Sequence, residues 1–185
     1  MRNKYLIVVD MQNDFVNGSL GTIEAQNIVQ SVIKKINHFQ GSVIFTKDTH
    51  EENYLSTYEG KMLPVMHCIS GTPGWQLIED LEKIQMEKNW PVYLKSFFSS
   101  VKLVQDLQAI HQISPIEEIE LIGVCTDVCV VSNALLLKAY LPEVDIWVDA
   151  SCCAGTTPQK HTAALETMKS CQIMIRKEAA FHDAV

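Results

Sequence analysis

Residues 119–129 read IELIGVCTDVC. The stretch from Ile119 to Gly123 is apolar almost throughout and too short for a helix. It opens into a segment of helical period from about Asp127 to Tyr140. A short apolar run of this kind is what a strand covered on both faces requires. Strand followed by helix is half of a βαβ unit. The pattern recurs along the chain. Strands are expected at Tyr5–Val9, Ser42–Thr46, Val92–Leu94, Ile119–Gly123, Asp145–Val148 and Gln172–Ile175. Apolar stripes between them (Ile28, Val29, Val32, Ile33 and Ile36; Val104, Leu107 and Ile110) mark helices. A last helix is expected from Pro158 to Ser170, with proline in its first turn behind Thr156 or Thr157 as cap. The expectation is an α/β fold with a central, mostly parallel sheet.

The chain has 185 residues, 47% hydrophobic and 20% charged, which suits a single domain spanning 1–185. Its net charge of −7 argues against non-specific nucleic-acid binding and against an anionic membrane surface. The opening MRNKYLIVVD has too short an apolar run for a signal peptide and reads as a first strand. No run is long enough to span a bilayer. Six cysteines are present; in a chain this apolar and without a secretory signal, reduced thiols in a cytoplasm are the expectation. One stretch, 48–74, shows neither helical nor strand period. Loops of that length in compact domains are usually functional or disordered.

In open parallel sheets, ligands collect at the carboxyl ends of the strands. Three chemically capable residues fall there: Asp10 after the first strand, Lys95 after the third, Cys129 just beyond the fourth. Each alone has a structural reading, as a turn cap, a snorkelling lysine or a buried thiol. Together they bring a carboxylate, an ammonium and a thiol to one rim, the makings of covalent catalysis. Of the two cysteines in GVCTDVC, Cys129 is the better nucleophile. With Asp127 or Thr126 as cap it lies in the first turn of the following helix, where free amides and the dipole favour a thiolate. A CxxxC spacing without a second ligand pair does not make a zinc clip. In the long loop, KDTHEENYLSTYEGKMLPVMHC carries Asp48, His50, Glu59 and His67. Two imidazoles with one or two carboxylates suit Zn²⁺, Fe²⁺ or Mn²⁺, and a polar surface loop is the structural alternative.

With these residues assembled, the chain resembles the isochorismatase-like cysteine hydrolases, and within them the nicotinamidases. The likeness runs nearly end to end. VVDMQNDF is similar to the family's first strand and catalytic aspartate. TKDTH and HCISGTPGW are similar to its metal loop, YLKS to its lysine segment and GVCTDVCV to its nucleophile segment. The resemblance implies a three-layer αβα fold around six strands in a Rossmann-like order. It implies an Asp10–Lys95–Cys129 triad, and an oxyanion hole from the backbone amides of Cys125 and Cys129 beside a cis Val124–Cys125 peptide. Phe15, Leu63 and Val124 are expected to line the substrate pocket; Phe97 and Phe98 are further candidates for its second aromatic. Asp48, His50, Glu59 and His67 would hold one divalent ion, zinc first, iron or manganese as alternatives.

The implied reaction is hydrolysis of nicotinamide to nicotinate and ammonia through a cysteine thioester, for NAD salvage in the cytoplasm. The resemblance leaves room for a homo-oligomer. Val128 departs from the histidine of some nicotinamidases, and SFFSSVKLVQDL lacks the usual Gly-Thr. The alternatives are a metal-free isochorismatase-like or other small-amide hydrolase, and a catalytically silent binding domain of the same fold.

Overall fold

The computed structural model describes residues 3–176; the outer ends of the expected 1–185 domain, including the first two residues of the MRNKYLIVVD reading, lie outside them. Six strands form one sheet: β1 (Lys4–Val9), β2 (Ser42–Asp48), β3 (Val92–Lys95), β4 (Glu118–Val124), β5 (Asp145–Ala154) and β6 (Met174–Arg176). Their order is β3-β2-β1-β4-β5-β6, with every neighbouring pair parallel. The sheet is therefore wholly parallel, and its order reverses between β1 and β4. At that reversal the two crossover directions diverge and leave a crevice above the strand ends.

The pleat of β1 sorts the core into two layers. Leu6 and Val8 face a cluster with Val32 and Ile36 of α2 (Ile23–His38), together with Leu81 of α4 (Glu79–Lys88). Ile7 and Val9 face α5 (Val101–Ile113), α6 (Val131–Tyr140) and α7 (Pro158–Ser170) through Leu103, Leu107, Leu137 and Met168, with Val130 just ahead of α6. All four β1 residues are fully buried, which is why the run carries no alternation in sequence. Two short helices, α1 (Asn13–Val16) and α3 (Tyr58–Met62), lie in the connections.

Local chemistry sets the ends. Thr22 caps α2 through Ala25 N, Ser100 caps α5 through Leu103 N, and Thr157 caps α7 ahead of Pro158. Each such bond satisfies an orphan amide and contributes about 1 kcal/mol. Two sequence expectations need correction, and one helix carries no sequence signal. The segment from Asp127 is split: a π-turn (Thr126–Val130) precedes α6, and neither Thr126 nor Asp127 caps it. The last strand starts at Met174, because Gln172 takes a left-handed backbone at φ 64°. And α4, EDLEKIQMEK, carries no clear apolar stripe; only Leu81 is buried, and left-handed Asn89 closes it.

Gly123 belongs to the close approach of β1 and β4. Its φ is +114°, and a Cβ there would lie 2.2 Å from the Val9 carbonyl oxygen. A side chain would push apart the two strand ends that carry Asp10 and Cys125.

On the α2 face, the lower sheet is ionic instead of apolar. Lys35 of α2 bonds Glu120 of β4 at 2.7 Å and Asp149 of β5 at 2.8 Å. Both carboxylates are nearly fully buried, while the lysine keeps 23% of its side chain exposed. Burial pulls the Lys35 ammonium down, but the two carboxylates carry it above its usual range. Burial pushes Asp149 up, yet Lys35 and Ser151 hold it below the usual carboxylate value. Lys35→Met should therefore cost about 3 kcal/mol at neutral pH, the low end for a broken buried pair because the lysine is partly solvated. The Asp149 share of this stabilisation is present above the carboxylate's unfolded pKa and is lost as pH falls through its lower folded one. Urea melts of both proteins between neutral pH and pH 3 should thus show the difference shrinking in acid.

Candidate active site

Asp10, the first residue beyond β1, has a left-handed backbone at φ 51° and is fully buried. Its Oδ1 accepts a hydrogen bond from Thr46 Oγ1 at 2.7 Å, and its Oδ2 lies 2.7 Å from Lys95 Nζ. Lys95 ends β3, in register with Asp48 at the end of β2. Its ammonium also reaches Asp48 Oδ1 at 3.1 Å and Cys129 Sγ at 3.5 Å. One buried cation thus touches both carboxylates and the thiol.

Cys129 sits in the π-turn. The amides of Val128 and Val130 both turn back to the Cys125 carbonyl, at 3.1 and 3.0 Å, and the Cys129 amide lies between them. Asn133, fully buried, donates to Cys129 O and Phe98 O and accepts from Ser100 N. The two residues expected to cap are used elsewhere. Thr126 Oγ1 bonds His161 Nδ1 at 2.8 Å, and Asp127 takes Thr156 N and Oγ1 at 2.7 and 2.6 Å. These bonds tie the turn to the start of α7. The Val124–Cys125 peptide is cis.

Electrostatics follow from burial. Desolvation pushes the Asp10 carboxyl up, with Lys95 pulling the other way. Desolvation would lower the Lys95 ammonium, but Asp10, Cys129 and Asp48 carry it well above its usual range. The Cys129 thiol is raised by burial and by Asp10, against Lys95. Cys125 is pushed up to about 12, by burial first and Asp127 second. In this environment burial favours the protonated thiol, and the Asp10 carboxyl and the Cys129 sulfur share the Lys95 ammonium.

Beside this cluster Asp48 turns its second oxygen to the long loop. Asp48 Oδ2 is 3.0 Å from His50 Nε2 and 3.6 Å from His67 Nε2. Donor atoms of all three residues lie within 4.8 Å of one another, and all three are buried. Glu59 Oε1 is 3.9 Å from His50 Nε2 and 4.0 Å from His67 Nε2. His67 Nδ1 lies 2.8 Å from Val65 O; as a donor there it fixes the tautomer that leaves Nε2 free to ligate. Burial opposes ionisation of Asp48, but His50, His67 and Lys95 hold it well below the usual carboxylate range. Two imidazoles, a carboxylate held ionised and a second carboxylate nearby are a donor set that fits a divalent ion.

Tyr54, which no sequence motif singles out, is fully buried with its ring 4.6 Å from His50 and 4.9 Å from His67. Its hydroxyl donates to Leu63 O. Phe15 is buried, with its ring 5.5 Å from that of His67, and Val124 is buried at the end of β4. Leu63 is 38% and Phe97 56% exposed, and Phe98, half-buried, packs against the core cluster on the α5 and α6 face. Thr46, Tyr54 and Asn133 carry no motif; only their contacts reveal them.

A wholly parallel αβα sandwich with an Asp–Lys–Cys cluster at its switch point marks a class of hydrolase fold, and the comparisons agree. The Isochorismatase domain matches residues 4–179, and the chain belongs to that family. The solved nicotinamidase PncA of Bacillus subtilis is 27% identical, with a TM-score of 0.78 over 95% of this chain and 100% of that one. The pyrazinamidase of Pyrococcus horikoshii, solved in complex with zinc, is 27% identical, with a TM-score of 0.76 over 95% and 99%. A relative in Arabidopsis thaliana bearing the name "Probable inactive nicotinamidase" is 30% identical over 91% of this chain and 89% of its own length. Among the described residues no helix is long and apolar enough to cross a membrane.

Proposed function

We propose that the chain is a metal-dependent nicotinamidase, hydrolysing nicotinamide to nicotinate and ammonia through a thioester on Cys129. The observation that carries this reading is the Lys95 ammonium, within 2.7 Å of Asp10, 3.1 Å of Asp48 and 3.5 Å of Cys129. It joins a nucleophile and its base to a carboxylate of the ion site.

Asp10 takes the thiol proton, and Lys95 offsets the charge left on sulfur. The thiolate attacks the amide carbon, and the developing oxyanion accepts hydrogen bonds from the amides of Cys125 and Cys129. One such donor is worth about 3 kcal/mol. The carbon–nitrogen bond breaks as Asp10 returns the proton to the departing ammonia. Asp10 then takes a proton from water and hydroxide adds to the thioester. The carbon–sulfur bond breaks, Asp10 passes its proton to the departing sulfur to restore the thiol, and the nicotinic acid gives its own proton to the ammonia and leaves as nicotinate. Phe15 would pack against the pyridine ring, with Val124 and Leu63 bordering it. A divalent ion held by Asp48, His50, His67 and Glu59, zinc first, would supply a Lewis acid that grips the ring nitrogen. Such an activity serves NAD salvage in the cytoplasm, carried by one domain over 1–185.

Ammonia release from nicotinamide, with and without chelator, tests the reading. We expect turnover with metal, and after stripping either a sharply raised KM or no turnover. Unchanged activity of the stripped protein would move it to the metal-free relatives. No release from any small amide, with no fast-alkylating cysteine, would leave a silent binding domain.

A further inference from the structure

Between Asp10 and Phe15 the chain reads Met11, Gln12, Asn13 and Asp14, and the chemistry above uses none of them. Yet Gln12 is fully buried, and its carboxamide is spent on the backbone of the ion site. Nε2 donates to Asp48 O at 2.8 Å and to Trp75 O at 2.9 Å, while Oε1 accepts from Asp48 N at 2.7 Å. One side chain thus pairs with both backbone groups of Asp48, as a neighbouring strand would. Asp14 does the same for the other side of the site. Its Oδ2 accepts from the amide of Cys68 at 2.8 Å, the residue after His67, and its Oδ1 lies 3.4 Å from Ser19 N. Cys68 has a left-handed backbone at φ 47°, so an ordinary non-glycine residue is held there in an uncommon conformation. Gly74 makes room for the acceptor: a Cβ at that position would lie 2.2 Å from Asp14 Oδ2.

The donor set comes from two segments, Asp48 and His50 at the end of β2 and His67 after an excursion from residue 51 to 66. The His50–Ile69 bridge joins the segments through the backbone, which connects them without setting the angle of each ligand. We propose that Gln12 and Asp14 are positioning residues for the divalent-ion site, Gln12 orienting Asp48 and Asp14 orienting the His67–Cys68 corner. The short α1 turn thereby couples the strand end carrying the base to the loop carrying the ligands. The inference rests on the metal reading above and adds to it what fixes the ligands.

The test uses the purified full chain, with Zn²⁺ affinity measured by competition with a chromophoric chelator and the visible spectrum of the Co²⁺ form as readouts. Asp14→Ala should weaken Zn²⁺ binding by about 10- to 100-fold and alter the Co²⁺ bands. Asp14→Asn, which keeps an acceptor for the Cys68 amide, should restore most of both. Gln12→Met is the second variant and should weaken binding to a similar degree. Alkylation of Cys129 in the metal-free Asp14 variants should match the wild type, because Asp14 bonds the Cys68 and Ser19 amides and neither Lys95 nor its partners. Variants that bind Zn²⁺ as tightly as the wild type with the same Co²⁺ spectrum would overturn the proposal, as would an Asp14→Asn as weak as Asp14→Ala. A wild-type chain that takes up neither ion would instead remove the metal reading itself, and the proposal with it.

Discussion

Cys129→Ala should reduce ammonia release from nicotinamide by on the order of 10⁴-fold or more, leaving only what binding and the oxyanion donors supply. Cys125→Ala should lose no more than about tenfold. The asymmetry follows from contacts. Only the Cys129 sulfur lies against the Lys95 ammonium. The part assigned to Cys125 is played by its main-chain amide, which alanine retains. Intact-mass spectrometry during turnover should find an acyl adduct in the wild type and in Cys125→Ala, and none in Cys129→Ala. Equal losses in the two variants would refute the division of labour.

Lys95→Met should be the most damaging change outside the nucleophile, in activity and stability together. It leaves Asp10 and Asp48 buried without their shared cation. Breaking such a pair costs about 3–5 kcal/mol at neutral pH, read from urea melts of the metal-free protein. Asp10 already holds its proton more tightly folded than unfolded, because burial outweighs Lys95. Stability tied to that carboxyl therefore falls as pH rises from the unfolded value through the higher folded one. Without Lys95 that interval widens, so the deficit should shrink in acid. A neutral Asp10 is no base, and kcat should fall by about 10²- to 10⁴-fold. A variant that melts like the wild type at neutral pH would contradict the ionic account of the cluster.

What the sequence disclosed follows from how each feature is encoded. The central strands are legible because a strand covered on both faces is mostly apolar, as in YLIVV, whereas IELIG carries Glu120, buried against Lys35; the start of α7 is legible because Thr157 and Pro158 are chemical signals. The α4 helix stayed hidden since it lies on the surface with one buried leucine. The capping role read into Asp127 failed because a side chain able to cap can serve another partner equally well, and here Thr156 offers two donors. Asp10, Lys95 and Cys129 were selected by position at strand ends, and Asp48, His50 and His67 by residue type. Gln12, Thr46 and Asn133 bond residues 33 to 36 positions away, which no local pattern signals.

Asp48 faces two ways, one oxygen to Lys95 and the other to His50 and His67. The thiol cluster and the loop donors are thereby yoked. In the proposed reading, losing Asp48 would upset the charge balance around Lys95 as well as the ion site, so that ligand could not be given up without disturbing the thiol. An ion held there would likewise bear on the field at the sulfur. Substitutions that refit Asp48 to a new metal should then appear in company with changes near Asp10 and Lys95.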